Sequence, residues 1–375
     1  MNVCFSPSDI TFRAQLRVSF GINAYFWWRM KREIMKKKAL LVGGTGTISS
    51  AVTALLATSP DWELTVLNRG LRPVVLPEGV KVITADVGKD DVGRLIGGEM
   101  YDVVADFIAF EPEHVARDFR FFGKSTRQYI FVSSASAYAK PMASHVLTEE
   151  TALGNPYWAY SQWKEACETL LHRLEREEGF LVTIVRPSHT YGDRSVPVAI
   201  HGSRGSWEVV RRMMAGKPVV VHGDGSSLWT LTHNTDFARA FVGLMGNAEA
   251  LGETVQVTGD EQLTWNEIYQ TIADSVGVAF KPCYVSSHTL SASRQYDLRG
   301  SLLGDKAATV VFDNARLKRL VPGFKSEVSF KEGCRRAVDN ILRHEELQLA
   351  DPEFDVWCDG VVALEGEMAR RMARL

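Results

Sequence analysis

The stretch "LLVGGTGTISSAV", residues 40–52, begins as an apolar, β-prone run, turns through three glycines and resumes in a helical pattern. Gly43, Gly44 and Gly46 let the chain turn closely enough for main-chain amides, including those of Thr45, Thr47 and Ile48, to meet a pyrophosphate. That anion would sit at the N-terminus of the following helix, where the helix dipole favours negative charge. A purely structural turn could use the same glycines, but the strand before and the helix after are the setting a phosphate cradle requires. The third position of the glycine spacing is Ser49, which predicts a slightly relaxed approach of helix to strand.

Outward from this turn, short β-branched runs alternate with helical stretches. "ALLVGG" is followed by a helix near 47–58, then "LTVLNRG", "KVITADV", a helix near 89–97, "YDVVADFIAF", a helix near 112–123, "RQYIFVSS", a helix near 156–178 and "LVTIVRPSH". Apolar runs without clean in/out alternation predict a doubly wound α/β architecture, a parallel sheet with helices on both faces. After about residue 192 the rhythm loosens into short, glycine-punctuated elements. We therefore expect a nucleotide-binding domain over 35–192, a smaller C-terminal α/β substrate lobe over 193–350 interleaved with the sheet, and a helical tail over 351–375. The tail could pack on its own subunit or on a second copy in a homodimer. The default ligand site lies in the cleft between the lobes, beyond the carboxyl ends of the strands.

The 375 residues carry 43 basic and 45 acidic side chains, a formal charge of -2, so no global field draws the chain to nucleic acid. With 45% hydrophobic and 23% charged residues the composition is that of an ordinary globular protein. Cys4, Cys167, Cys283, Cys334 and Cys358 form no CxxC pair, which fits a reducing, cytoplasmic setting and gives neither a disulfide framework nor a metal site. Residues 1–34 differ in composition. "VSFGINAYFWW" is too short to span a bilayer and lacks a secretory cleavage site. We read it as an extension outside the fold; the rival reading is a membrane-surface or targeting segment.

A dinucleotide also needs its adenosine ribose recognised, commonly by an acidic residue after the second strand. "TVLNRG" offers Asn68 and Arg69 instead, a pair that would accept a 2'-phosphate and so favours NADP over NAD within an NAD(P) assignment. A solvated loop is the competing reading for Arg69. Asp86, with Val87 beside it in "TADV", could meet the adenine amino group or merely cap a turn.

The chemistry is concentrated in "NPYWAYSQWKEACE", residues 155–168. Tyr160 and Lys164 are four apart on a helix and share a face. An ammonium beside a phenol favours phenolate, predicting a tyrosine pKa lowered toward working pH and an acid/base for a hydroxyl or carbonyl substrate. "FVSSASAY" leaves Ser133 and Ser134 at the carboxyl end of the fifth strand, where a hydroxyl can bond the same substrate oxygen.

Together with "VGGTGTIS", "RPSHTYG", "HGDGSSLWTLTHNTDFARAF" and "FDNARLKRLVPGFKSEVSFKEG", these segments resemble the NAD-dependent epimerase/dehydratase family, extended or atypical short-chain dehydrogenase/reductases, over roughly residues 38–345. The resemblance implies a Rossmann-type fold. It places Ser134 on the catalytic Ser/Thr, Tyr160 and Lys164 on the YxxxK pair, Pro187 at the nicotinamide amide, and Phe107, Ile108 and Ala109 at the cofactor-lining end of the fourth strand. It implies hydride transfer at a hydroxyl or keto carbon of a sugar, nucleotide sugar or similar small molecule.

Departures from the family pattern narrow this. Where 4,6-dehydratases carry a Thr-Asp-Glu run, this chain has Ser134, Ala135 and Ser136, without the acid/base pair that dehydration needs. Epimerisation or simple oxidation/reduction fits better. Trp229 stands where an arginine commonly holds the substrate diphosphate, and His189 where an asparagine is usual. Nucleotide-sugar binding should weaken unless Arg194, Arg204 or another base substitutes; with Ser136, Trp229 and His189 form the expected substrate wall. His189 could equally be a buried, hydrogen-bonded core residue. Two other classes stay open on sequence alone: an RNA-associated member of the superfamily, and a non-catalytic dinucleotide sensor.

Overall fold

The computed structural model describes residues 36–71 and 75–375, so the reading of 1–34 as an extension lies outside the described residues. The strand β1 (Lys37–Val42) opens the fold, followed by α1 (Ser49–Ala57), β2 (Trp62–Asn68), β3 (Lys81–Thr84), β4 (Val103–Asp106), α2 (Pro112–Phe122), β5 (Tyr129–Val132), α3 (Ala159–Glu178) and β6 (Val182–Pro187). The second half holds α4 (Trp207–Met214), α5 (Asn234–Leu244), β7 (Thr254–Val257), α6 (Trp265–Ser275), α7 (Phe330–Arg343) and α8 (Pro352–Met372), with short strands between. The seven labelled strands form one parallel sheet in the order β3-β2-β1-β4-β5-β6-β7. The strand order reverses between β1 and β4, which opens a crevice at their carboxyl ends.

Two-residue periodicity sends alternate side chains of β1 into different cores. Ala39 and Leu41 meet Val52 and Leu56 of α1 and Phe237 and Phe241 of α5 on one face. Leu40 and Val42 meet Val115 and Phe122 of α2 and Cys167 and Leu171 of α3 on the other. Each fully buried side chain of this size contributes roughly 1.5–3 kcal/mol, which is why the strands are apolar throughout rather than alternating. A third core, with Trp229, Trp265, Tyr269 and Phe330, holds the smaller lobe.

Two boundaries differ from the sequence reading. The helix expected near 89–97 is the single turn Val92–Leu95. The "YDVVADFIAF" strand stops at Asp106 because the Asp106 carboxylate accepts hydrogen bonds from the amides of Ile108 (2.5 Å) and Ala109 (2.7 Å) and bends the chain. Interleaving of the lobes is carried by α5 and β7 and by Leu317, Leu320 and Phe324, which pack into the core beneath β1. The tail α8 rests on its own chain through buried Phe354 and Cys358 and through Asp355, which pairs with the buried Arg212 of α4. Among the described residues no helix is long and apolar enough to cross a membrane.

Candidate active site

The opening turn lies hard against its neighbours. Gly43 adopts φ +84°, and a Cβ there would stand 2.5 Å from Ile108 Cγ2. One on Gly44 would meet Val66 Cγ1 at 2.8 Å. Ser49 does not relax the turn. Its hydroxyl donates to the Gly43 carbonyl (2.6 Å) and accepts from the Gly46 amide (2.9 Å), tying the loop across itself. The helix α1 begins without a side-chain cap, and within its first turn the Ser50 amide bonds the Gly46 carbonyl (2.9 Å).

Gly43, Thr45, Gly46, Thr47 and Ile48 line a groove of about 930 Å³ that continues past Asn68, Arg69, Asp86, Val87, Phe107 and Ile108. Gly44 and Ala109 are buried beneath the wall rather than on it. Asn68 accepts from the Gly70 amide (2.9 Å), while Arg69 is exposed at the rim. Asp86 lines the groove and also caps its own turn, accepting from the Gly88 amide at 3.0 Å.

A second cavity, of about 520 Å³, adjoins the first and shares Ile48, Phe107, Phe110 and Val132 with it. Ser134, Ser136, Tyr160, Lys164, Pro187, His189 and Trp229 line it. Ser134 and Ser136 share a hydrogen bond between their hydroxyls (2.9 Å), and Ser161 donates to Ser136 (2.8 Å). The Ser133 hydroxyl is instead engaged by Glu168, which pairs with the buried Arg186.

Lys164 is almost wholly buried, its ammonium donating to the carbonyls of Ala109 and Val132, both at 2.7 Å. It lies 5.8 Å from the centre of the Tyr160 ring and closer to the faces of Phe110 and Phe131, at 4.8 and 4.7 Å. Burial pulls its pKa down to about 8. The expected depression of the tyrosine does not appear: burial pushes Tyr160 up to about 12, opposed in part by the Ser134 hydroxyl. The physical reason is geometric. The ammonium is committed to two carbonyls and offers its charge to the ring rather than to the phenolic oxygen.

His189 is pulled down to about 3 by burial and is neutral across the physiological range. Its Nδ1 and Trp229 Nε1 are buried without a hydrogen-bond partner among the described residues. Trp229 stacks on Trp265 at 5.7 Å. Neither Arg194 nor Arg204 reaches the cavity wall; Arg204 donates to the Ala350 carbonyl instead.

The wall also contains Lys140, His201, Asp305 and Lys306, none of which sequence reasoning had selected. Asn155 explains how the last two arrive. Its side-chain amide donates to the carbonyls of Ser136 (2.7 Å) and Gly304 (2.6 Å), bridging the serine loop to the π-helical turn Leu302–Lys306. Only the lone asparagine ahead of Pro156 marked this position in the sequence, and nothing there indicated its partner.

A parallel sheet with a glycine turn at its switch point, and a cavity lined by Ser134, Tyr160 and Lys164 beside the groove along that turn, define a Rossmann-type fold. The sequence matches the NAD dependent epimerase/dehydratase family over residues 39–258, and the chain belongs to that family. It is 27% identical to 2'-dehydrokanamycin reductase of Streptomyces kanamyceticus over 289 residues, 77% of this chain and 80% of that protein. It is 29% identical to the chloroplast stem-loop binding protein of 41 kDa b of Arabidopsis thaliana over 259 residues, 64% of each chain. In fold it is similar to UDP-glucuronic acid 4-epimerase from Bacillus cereus, solved with UDP-glucuronic acid and NAD, at TM-score 0.66 and 18% identity, covering 82% of this chain and 99% of that one.

Proposed function

We propose that this protein is an NAD(P)-dependent oxidoreductase that moves hydride between the nicotinamide and a hydroxyl- or keto-bearing carbon of a carbohydrate, with reduction the favoured direction. The observation that carries the reading is that the cavity lined by Ser134, Tyr160 and Lys164 adjoins the groove along the glycine turn, the two sharing Ile48, Phe107, Phe110 and Val132. A dinucleotide fits the groove: Gly43 leaves open a cradle that a Cβ would fill, and α1 begins there without a side-chain cap. In this reading the main chain from Gly43 to Ile48 binds the pyrophosphate. Asn68 and Arg69 take the adenosine ribose or its 2'-phosphate, Asp86 and Val87 the adenine, and Pro187 the nicotinamide amide. When bound, the nicotinamide supplies or accepts the hydride.

The residues of the chain do the rest. Tyr160, protonated below about 12, is poised to give its proton to a carbonyl oxygen as negative charge develops there. Ser134 donates to the same oxygen, and Lys164, held by the Ala109 and Val132 carbonyls, keeps one N–H for the nicotinamide ribose. An epimerase would use the same groups twice, on opposite faces of one carbon. Reduction is favoured by the name of the reductase relative. The Ser-Ala-Ser run at 134–136 weighs against dehydration. The name of the stem-loop binding relative suggests RNA as another ligand, but a net charge of -2 provides no electrostatic footprint for it.

Native mass spectrometry of the purified protein tests the direction. Exchangeable NADP(H) is expected of a reductase that releases its oxidised cofactor each turnover; a tightly retained NAD would overturn the preference for reduction and indicate epimerisation.

A further inference from the structure

Lys140 is buried in the wall of the substrate cavity, on a loop held by main-chain hydrogen bonds from Ala139 to Ala152 and from Lys140 to Gly154. Its ammonium contacts the Met142 sulfur at 3.2 Å, a weak acceptor, and no carboxylate lies within ion-pair distance among the described residues. A buried cation in this condition is expensive to maintain unless an anion joins it.

Lys306 enters the same cavity from the π-helical turn, 3.2 Å from Asp305 and 5.9 Å from the centre of the Trp229 ring. Its carbonyl accepts from Trp265 Nε1 (3.3 Å) and Ser227 Oγ (3.4 Å) and lies 3.0 Å from His222 Nε2, so its backbone is fixed in place. Lys140, Lys164 and Lys306 face a single wall carboxylate, Asp305, among the described residues. Lys164 is already committed to carbonyls.

We propose that this cavity takes an anionic carbohydrate, whose carboxylate or phosphate oxygens are bound by Lys140 and Lys306. The inference rests on the hydride-transfer reading and names its substrate class. Lys140 and Lys306 offer this wall two ammonium point charges in place of a guanidinium fork. A cationic amino sugar would instead meet like charge, so the specificity differs from the one the reductase relative's name suggests. Burial lowers the Lys140 pKa, a cost that a bound anion relieves.

Isothermal titration of the full chain, with and without NADPH, against D-glucuronate, glucose 6-phosphate, glucose and kanamycin tests this. At least one oxyanion should bind about tenfold or more tightly than glucose, the preference shrinking with added salt. The tighter of the two acids identifies carboxylate or phosphate. Lys140→Met and Lys306→Met should each remove that preference while leaving NADPH affinity intact, which also verifies the fold of each variant; Lys140→Arg should retain it. Glucose or kanamycin binding as tightly as both acids, or unchanged oxyanion binding in the two methionine variants, would overturn the proposal. Absence of NADPH binding would instead overturn the hydride-transfer reading, because the oxyanion titrations are also run without nucleotide.

Discussion

Lys164 sets the pH behaviour of the site. Its folded pKa of about 8 lies below the ordinary lysine value of 10.5, because burial penalises the charged form. Below about 8 the folded protein carries the buried charge. Between about 8 and 10.5 the folded protein has released a proton that the unfolded chain still holds, so stability rises with pH across that window. The rise is on the order of 1.4 kcal/mol per pH unit at most. Denaturant unfolding at a series of pH values should show this slope in the wild type and a flatter one in Lys164→Met; equal slopes would place the proton elsewhere. The pair Tyr160 and Lys164 was legible in the sequence because helical periodicity alone puts positions four apart on one face. Their electrostatics were not: which oxygens receive the ammonium depends on Ala109 and Val132, residues contributed by two other strands' ends.

At the scale of elements, the glycine turn and the tail helix carry the clearest expectations. Gly43→Ala must place a side chain at φ +84° against Ile108, so we expect about 1–3 kcal/mol of destabilisation and loss of nucleotide binding, read by thermal unfolding and nicotinamide fluorescence. Ser49→Ala removes two hydrogen bonds, each worth about 0.5–1.5 kcal/mol, and should weaken nucleotide affinity while the protein stays folded. Unchanged affinity would show that the serine stitch is incidental to the cradle. In α8, Asp355 and Asp359 both pair with Arg212, whose side chain is 1% exposed. Replacing both with alanine strands a buried guanidinium, and about 3 kcal/mol of lost stability is expected from equilibrium unfolding. The tail was readable as a helix from its pattern, but its attachment was not, since Arg212 lies far away in sequence.

Across the whole molecule, apolar strand runs and their spacing made the doubly wound sheet legible, because a strand buried on both faces has no polar alternation to preserve. Interleaving of the second half with that sheet was expected, but which segment returns was hidden: the four residues Thr254–Val257 look like any other short strand until β6 supplies a partner. The same is true of the cavity wall. Lys140, Asn155, Asp305 and Lys306 meet only through the packing of one lobe on the other, and no local periodicity announces such a meeting. The groove along the glycine turn follows from one strand-turn-helix unit and is therefore readable; the adjoining cavity is assembled from distant segments and is not.

The proposed hydride transfer has Tyr160 as the proton donor. It is tested most directly by supplying reduced nicotinamide deuterated at C4 together with keto sugars, neutral and acidic, and following deuterium into the carbohydrate by mass spectrometry. Label is expected in the product of the wild-type protein, with transfer slowed by about 10²–10⁴-fold in Tyr160→Phe and nucleotide affinity unchanged. Transfer by Tyr160→Phe at the wild-type rate would contradict it.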